Sequence, residues 1–226
     1  MKVQCAIDTT SRAAALDVAD AAAAAGISVL EVGHVLVKIA GLGLVGELRR
    51  RHPEAEVVAD MKTMDMGWLE VETAARAGAH SVIVCGAASD GVLRAARDAG
   101  AHHGVDVLVS LMGVRRRRER TEQLLDLGLT HVIAHRGIDD RFLWSDPDCL
   151  ADLEHLAALP GVRLALAGGI DPVTFGTFAH LPLDRVIVGR GIIEAPVVAA
   201  AAAEMHRLAE ESERSRRDVA HQAPTR

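Results

Sequence analysis

The stretch SVIVCGAASDGVLRAARDAG, residues 81–100, contains one complete unit of the fold. Ser81–Cys85 is a short run that is apolar on both faces, which is typical of a parallel strand with helices on one side and a core on the other. Val92–Ala99 continues with a helical pattern and ends at Gly100, a residue suited to closing a helix. The stretch therefore predicts a strand, a loop and a helix.

The same unit recurs on both sides of this stretch. The predicted strands are Val3–Ile7, Val29–Gly33, Val57–Asp60, Ser81–Cys85, Asp106–Leu111, His131–His135, Arg163–Ala167 and Arg185–Val188. The predicted helical segments include Arg12–Ala25, Leu69–Ala77, Val92–Ala99, Arg120–Leu127 and Asp148–Leu159. Strand starts lie about 25 residues apart in most cases, the length of a strand, a loop and an ordinary helix. Eight such units predict an α/β protein with a (β/α)8 TIM barrel, and favour it over an open doubly wound sheet because helix and strand numbers match.

The length of the chain suits one domain with a sizeable core. It has 226 residues, of which 50% are hydrophobic. After Met205 the sequence becomes rich in Arg, Glu, Ser and His and has no apolar stripe. We therefore expect a single barrel domain over residues 1–208, followed over residues 209–226 by a polar C-terminal tail.

Composition excludes several classes of function. A net charge of -6 and an aromatic content of 2% give little basis for binding nucleic acid. No apolar stretch has the length of a membrane span, and the N-terminus has no signal-peptide pattern. Cys5, Cys85 and Cys149 include no C-x-x-C pair, so reduced thiols in a cytoplasmic protein are expected. The basic run Arg115–Arg118 is followed by acidic residues, which favours a solvated helix face over an anion-binding patch.

Polar residues at the carboxyl ends of the predicted strands are the candidates for catalysis, because TIM barrels place their active sites there. Asp60 and Lys62 lie two residues apart on one strand, so both side chains should point to the same face. A desolvated Asp–Lys pair is costly, which favours a functional role over a surface salt bridge. Glu31 on the neighbouring strand adds a second carboxylate, and two adjacent carboxylates with few other ligands suit Mg²⁺. His135 ends strand six, where an imidazole could transfer protons near neutral pH.

Glycines follow the last two strands, where TIM barrels often bind phosphate through backbone N–H groups. Gly168 and Gly169 come after strand seven, and Gly189 comes after strand eight. Arg190 follows at once and can make a bidentate contact with a phosphate. The four residues together predict a phosphate-binding site.

These motifs resemble the orotidine 5′-monophosphate decarboxylase suprafamily, within it most closely the 3-hexulose-6-phosphate synthase and 3-keto-L-gulonate-6-phosphate decarboxylase branches. The resemblance runs from about Val3 to Met205. It is carried by Glu31-Val-Gly33, Ala59-Asp-Met-Lys-Thr-Met-Asp65, Ala134-His-Arg-Gly-Ile-Asp139, Ala167-Gly-Gly-Ile170 and Val188-Gly-Arg190. The D-x-K-x-x-D element is the specific part, since the glycine motifs occur in many phosphate-binding barrels.

The resemblance implies a role for each candidate. Glu31 and Asp60 would hold magnesium, Lys62 would lie beside a developing enediolate, Asp8 would contact substrate hydroxyls, His135 would serve proton transfer, and Gly169, Gly189 and Arg190 would bind phosphate. Asp65 would reach into the site of the partner subunit, because the family is typically a homodimer with shared active sites.

The branch of the family depends on details. At position 138 the chain resembles the synthase branch, because it has Ile where the decarboxylase tends to carry Arg. At position 136 its Arg resembles the decarboxylase branch. Ser110 stands where the family usually has an acid at the end of strand five, and His34 where it commonly has Thr. The leading expectation is a magnesium-dependent lyase that joins formaldehyde and D-ribulose 5-phosphate through an enediolate. The alternatives are decarboxylation of 3-keto-L-gulonate 6-phosphate, a related sugar-phosphate lyase, and a non-catalytic phosphosugar-binding protein.

Overall fold

A computed structural model describes residues 1–140 and 143–222. The strands are β1 (Lys2–Ile7), β2 (Val29–Val32), β3 (Glu56–Thr63), β4 (Ser81–Cys85), β5 (Asp106–Ser110), β6 (His131–His135), β7 (Arg163–Ala167) and β8 (Arg185–Val188). The helices are α1 (Arg12–Ala24), α2 (His34–Ala40), α3 (Gly43–Arg51), α4 (Gly67–Arg76), α5 (Asp90–His103), α6 (Arg117–Asp126), α7 (Pro147–Ala157), α8 (Arg190–Ile193) and α9 (Val198–Gln222). Within the described residues, no helix combines the length and apolar character needed to cross a lipid bilayer.

All eight strands are parallel and form a closed barrel in the order in which they occur in the chain. Closure joins β1 to β8, with Lys2 opposite Arg185 and Cys5 opposite Val188. Helices surround this barrel and bury a continuous apolar layer against its outer face. The predicted (β/α)8 fold is confirmed.

The alternation of side chains along the strands determines which residues face the candidate site. A small cluster of apolar side chains fills the barrel interior, and it consists of Ala6, Val29, Val58, Ile83, Leu108, Ile133, Ala165, Ala167 and Ile187. Side chains two positions further along a strand face the same way, one layer closer to the carboxyl ends. That layer contains Asp8, Glu31, Asp60, Ser110, His135 and Gly189. The candidate residues therefore form the polar top layer of a packed barrel core.

The expectation of one helix after each strand is wrong at two places. Two helices, α2 and α3, follow β2. Between β7 and β8 the connection has only a short 3-10 turn, Phe175–Thr177, and no α-helix. Pro172, Gly176 and Pro182 interrupt this connection, which explains why a continuous helix does not form there.

The C-terminal helix continues past the predicted boundary of the barrel domain. Helix α9 runs without a break from Val198 to Gln222, so residue 208 lies inside it. Ala209 is buried, the Ser212 hydroxyl donates to the Ala179 carbonyl at 2.6 Å, and Arg216 donates to the Leu181 carbonyl. These contacts attach the part of the predicted tail up to Arg216 to the barrel. Residues 223–226 lie outside the described residues.

The basic run at the start of α6 is largely neutralised by nearby carboxylates. Arg116 pairs with Glu119, and Arg118 pairs with Glu122, both on the surface of the same helix. Arg117 pairs with Asp152 of α7. This arrangement agrees with a solvated helix face for the run.

Candidate active site

A cavity of about 640 Å³ opens at the carboxyl ends of the strands. Nine of the ten predicted site residues line it: Asp8, Glu31, Asp60, Lys62, His135, Gly168, Gly169, Gly189 and Arg190. Asp65 is the exception. Asp8 directly follows β1, and Glu31, Asp60 and Lys62 lie in β2 and β3. The glycines and Arg190 follow β7 and β8, so the cavity has an acidic side and a glycine side.

The Asp60–Lys62 pair forms the centre of the acidic side. Lys62 Nζ lies 2.5 Å from Asp60 Oδ2. The two side chains do not meet through regular alternation, because the pairing of β3 with β4 shifts between Asp60 and Thr63. At this bulge Lys62 has a φ of 45°, in the left-handed region that residues with a side chain rarely adopt. Backbone strain at one residue thus turns the ammonium group toward the cavity.

The charge of Lys62 is maintained despite its burial. Burial disfavours the ammonium ion, but the nearby carboxylates of Asp60, Glu31 and Asp8 favour it, and together they raise the pKa of Lys62 above its ordinary value. The side chain is therefore a fixed cation next to Asp60. It can stabilise negative charge on a substrate bound in the cavity.

Glu31 is the most constrained carboxylate of the site. It is 3% exposed, and its Oε2 accepts a hydrogen bond from Gln4 Nε2 at 2.5 Å. Burial and the negative charges of Asp60 and Asp8 raise the pKa of Glu31 to about 8. The second oxygen of Asp60, Oδ1, is also buried and has no hydrogen-bond partner in the described part of the chain. The repulsion between the Glu31 and Asp60 carboxylates and the unpartnered Oδ1 of Asp60 both favour a cation between these two side chains.

These residues fit a magnesium ion better than a metal that needs a full set of protein ligands. Among residues 1–140 and 143–222, no group of three or more His, Cys, Asp or Glu side chains could hold a metal by itself. Mg²⁺ usually takes only one or two carboxylates and completes its octahedral shell with water and substrate oxygens. Glu31 and the free oxygen of Asp60 match that requirement.

Asp8 and His34 stand beside the Asp60–Lys62 pair. Burial and the charge of Asp60 raise the pKa of Asp8. His34 Nδ1 lies 3.9 Å from both Asp8 Oδ1 and Asp60 Oδ2, and burial and the charge of Lys62 lower the pKa of His34. Gly33 makes room for Asp8, because a Cβ at Gly33 would lie 2.1 Å from Asp8 Oδ1. His34 is therefore part of the site, at the start of α2.

His135 occupies the wall between the two sides of the cavity. Its Nδ1 lies 3.0 Å from Ser110 Oγ at the end of β5. Burial and the positive charge of Lys62 lower the pKa of His135 to about 3. The ring is therefore neutral at physiological pH.

The glycine side presents backbone to the cavity. Gly168 and Gly169 have φ values of 96° and 72°, which only glycine adopts without strain. A Cβ at Gly168 would lie 2.1 Å from the carbonyl oxygen of Arg136, and one at Gly169 would lie 2.5 Å from Arg136 Nη2. Gly189 precedes α8 and leads into Arg190 at the cavity rim. Backbone amides and a guanidinium group are the partners that a phosphate prefers.

Comparison with known proteins agrees with this geometry. Residues 1–205 match the family model of the orotidine 5′-phosphate decarboxylase / HUMPS family. The chain belongs to this family.

Relatives of this family member carry two different activities in their names. A 3-hexulose-6-phosphate synthase of Mycobacterium gastri is 34% identical over 208 residues, which cover 91% of this chain and 98% of the relative. Among solved structures, 3-keto-L-gulonate-6-phosphate decarboxylase from Vibrio cholerae has a TM-score of 0.81 at 28% identity, covering 93% of this chain and 97% of that one. KGPDC from Streptococcus mutans has a TM-score of 0.83 at 26% identity, covering 93% of this chain and 98% of that one. The protein is thus a lyase, of the aldehyde-lyase or carboxy-lyase type.

The sequence interpretation missed two residues of this lyase's site. Arg136 was used only to distinguish the two branches of the family, yet it lines the cavity and packs over the turn formed by Gly168 and Gly169. Gln4 was not considered. It lies two positions before Ala6, a residue of the barrel interior, and four positions before Asp8, so its side chain faces the same way as theirs. Its amide links Arg185, which donates to Gln4 Oε1 at 2.9 Å, to Glu31. Strand alternation from Asp8 could have identified Gln4.

Asp65 lies outside the cavity of this family member. It is exposed, and its Oδ1 accepts a hydrogen bond from the backbone N–H of Met66 at 2.7 Å. Its neighbours Met64, Met66 and Trp68 are exposed as well, at 53%, 59% and 40%. The structure of a single chain therefore does not bring Asp65 together with the other predicted residues.

Proposed function

We propose that the protein is a magnesium-dependent lyase that reversibly joins formaldehyde to D-ribulose 5-phosphate, as in 3-hexulose-6-phosphate synthase. One observation carries the proposal: a single cavity places the Asp60–Lys62 pair and Glu31 opposite the glycine turn and Arg190. The curated relatives with this name support it. We assign the reaction to the cytoplasm, where the three free cysteines stay reduced.

The glycine side binds the phosphate in this proposal. The backbone of Gly169 and Gly189 and the guanidinium group of Arg190 would contact the phosphate oxygens. This contact orients the sugar so that its reacting end lies over the acidic side. There Asp8 can accept hydrogen bonds from substrate hydroxyls.

The acidic side performs the chemistry. Glu31 and Asp60 would hold Mg²⁺, which when bound acts as a Lewis acid toward the oxygens of the sugar. A carboxylate lining the cavity, for which Asp8 is placed, would take the proton from the carbon beside the carbonyl group. The resulting enediolate would attack the carbon of formaldehyde, and the proton would pass to the former formaldehyde oxygen. Lys62 stabilises the negative charge of the enediolate, and the His135 ring lies where it can hydrogen-bond with the substrate oxygens.

Decarboxylation of 3-keto-L-gulonate 6-phosphate is the second candidate. It passes through the same kind of enediolate, and the cavity wall contains Arg136, a feature similar to the decarboxylase branch. Ile138 also lines the cavity, where the decarboxylase tends to have Arg, and this favours the synthase. The apolar Ile138 offers no charge to a substrate carboxylate.

We further propose a homodimer with shared active sites. Asp65 lies in an exposed segment that is unusually apolar for a surface, since Met64, Met66, Trp68 and Leu69 are all more than a third exposed. Burial of this segment against a second copy would carry Asp65 toward the cavity of the partner. Each site would then contain residues of both chains.

Assays with purified protein test the chemical proposal. With Mg²⁺, we expect aldol product from ribulose 5-phosphate and formaldehyde, and little CO₂ from 3-keto-L-gulonate 6-phosphate. The opposite preference would support the decarboxylase. Binding of ribulose 5-phosphate in calorimetry without turnover of either substrate would support a phosphosugar-binding protein.

Chelation tests the metal separately. Because two buried carboxylates and few other ligands suit Mg²⁺, exhaustive treatment with a chelator should abolish turnover, and added Mg²⁺ should restore it. Metal analysis serves as the control. Full activity in protein shown to be free of divalent metal would contradict the proposed magnesium role.

A further inference from the structure

Ser110 occupies a position from which it can control His135. It ends β5 on the inner face of the barrel and is 1% exposed. Its Oγ lies 3.0 Å from His135 Nδ1 and 3.3 Å from the backbone nitrogen of Met112. The hydroxyl group therefore has two neighbours with which it can hydrogen-bond.

The donor of each hydrogen bond follows from the chemistry of the groups. The Met112 nitrogen carries a hydrogen and can only donate, so Ser110 Oγ accepts that bond. The Ser110 hydroxyl hydrogen then needs an acceptor, and within the described residues His135 Nδ1 is the only one in reach. Leaving this buried donor unpaired would cost about 1–3 kcal/mol. Ser110 therefore donates to Nδ1, and a neutral ring with an accepting Nδ1 carries its proton on Nε2.

We propose that Ser110 is a positioning residue that fixes His135 in the Nε2–H tautomer, so that His135 offers a hydrogen-bond donor to the substrate. With Nδ1 bonded to Ser110, the ring nitrogen that remains for the cavity is Nε2. The neutral state of the ring, due to burial and Lys62, agrees with this tautomer. His135 then cannot act as a base through Nε2.

The inference rests on the proposed function and narrows the role of His135 in it. A donated Nε2–H bond stabilises a substrate oxygen on which negative charge develops, without transferring the proton. An acid at residue 110 would have the opposite effect, because a carboxylate can only accept a hydrogen bond and would hold the proton on Nδ1. The hydrogen-bonding polarity that Ser110 imposes on His135 is thus the opposite of the one that a carboxylate at residue 110 would impose.

The tautomer can be measured directly by NMR. In full-length protein labelled with ¹⁵N-histidine, a long-range ¹H–¹⁵N correlation near neutral pH distinguishes a protonated ring nitrogen from an unprotonated one. The His135→Asn variant identifies the His135 signals by their loss. We expect a protonated Nε2 and an unprotonated Nδ1. A protonated Nδ1, or averaged shifts of two exchanging tautomers, would overturn the proposal.

His80 is an internal reference for this experiment. Its Nδ1 accepts a hydrogen bond from the backbone N–H of Val57 at 2.9 Å, so it should show the same Nε2–H tautomer independently of residue 110. Signals of His80 that stay constant in every variant of Ser110 show that the barrel remains folded.

Three variants of Ser110 separate positioning from packing. Ser110→Thr keeps the hydroxyl group and should keep the tautomer, Ser110→Ala should give averaged shifts, and Ser110→Asp should move the proton to Nδ1. In the lyase assay, Ser110→Ala should lower kcat about tenfold at nearly constant KM, and Ser110→Thr should recover most of that loss. An unchanged Nε2–H tautomer in folded Ser110→Ala would overturn the proposal. Because the NMR measurement needs no substrate, it remains decisive if the proposed reaction proves wrong.

Discussion

The two sides of the cavity use opposite means to bind a charged substrate. The acidic side is built from side chains: Glu31 and Asp60 are each 3% exposed, and Lys62 sits at a strained bulge. The glycine side is built from backbone, with Gly168 and Gly169 in left-handed conformations that cost glycine little. The acidic side carries buried carboxylates whose charges oppose folding, whereas the predicted phosphate-binding charge of the glycine side, Arg190, is exposed. We expect the first to act on the reaction rate and the second mainly on substrate binding.

Replacement of Lys62 gives the largest effect that this comparison predicts. Lys62→Ala removes the cation beside the developing enediolate, and we expect kcat to fall by about 10³-fold or more. Steady-state kinetics measure the loss, and circular dichroism shows whether the barrel is intact. Lys38→Ala, at an exposed lysine of α2, is the matched control and should keep normal activity. If Lys62→Ala raised KM and left kcat unchanged, Lys62 would act in substrate binding, and the two sides of the cavity would not differ in function.

Replacement of Arg190 should act on binding. In Arg190→Ala, KM for the phosphorylated sugar should rise by about 10- to 100-fold while kcat changes by less than about threefold, because the phosphate contact is made equally in ground state and transition state. Arg116→Ala is the matched control, since Arg116 pairs with Glu119 at the surface. A large fall in kcat at constant KM would show that the glycine side takes part in the chemistry.

Much of this arrangement follows from the sequence because it depends on local pattern. The predicted strands agree with the observed ones to within three residues at each end, since runs such as Ser81–Cys85 are apolar and are bounded by turns. Parallel closure then places the carboxyl ends of the strands together, so residues as distant as Asp8 and Arg190 could be assigned to one site.

The features that the sequence did not reveal depend on contacts between distant residues. The Gln4–Arg185 hydrogen bond exists only because closure joins β1 to β8, 181 positions apart. Alternation predicted the common face of Asp60 and Lys62, but a bulge produces it. Ser110 was treated as a missing acid, whereas its bond to His135 became apparent only from the distance between the two side chains.

Asp65 belongs to neither side of the cavity, and its proposed role in the partner's site can be tested only in a dimer. Lys62→Ala and Asp65→Ala should each be inactive if sites are shared. In an isologous dimer, one site of a mixed dimer lacks both groups and the other has both intact, so random co-expression should restore about a quarter of wild-type activity. Differential tags confirm the mixed dimers. No recovery in confirmed mixed dimers would refute shared sites.

The last predicted effect is on the stability of the fold rather than on turnover, and it tests whether the acidic side opposes folding. The pKa of Glu31 is raised to about 8 from an ordinary value of 4.5. Between these two pH values the unfolded chain has lost the proton that the folded chain keeps. The folded state therefore becomes less stable as pH rises through this window, by up to about 1.4 kcal/mol per pH unit.

Glu31→Gln removes this dependence, because the amide stays neutral and can still accept the hydrogen bond of Gln4. In metal-free protein at pH 8, we expect the melting temperature of Glu31→Gln to exceed that of the wild type by about 10 °C, with a much smaller difference at pH 5. Glu54→Gln, at an exposed position, is the matched control. Mg²⁺ should raise the melting temperature of the wild type at pH 8 and have less effect on Glu31→Gln, since a ligand of the native state stabilises it. If the melting temperatures of Glu31→Gln and the wild type differed by the same amount at pH 5 and pH 8, the stability of the protein would not depend on the charge of Glu31.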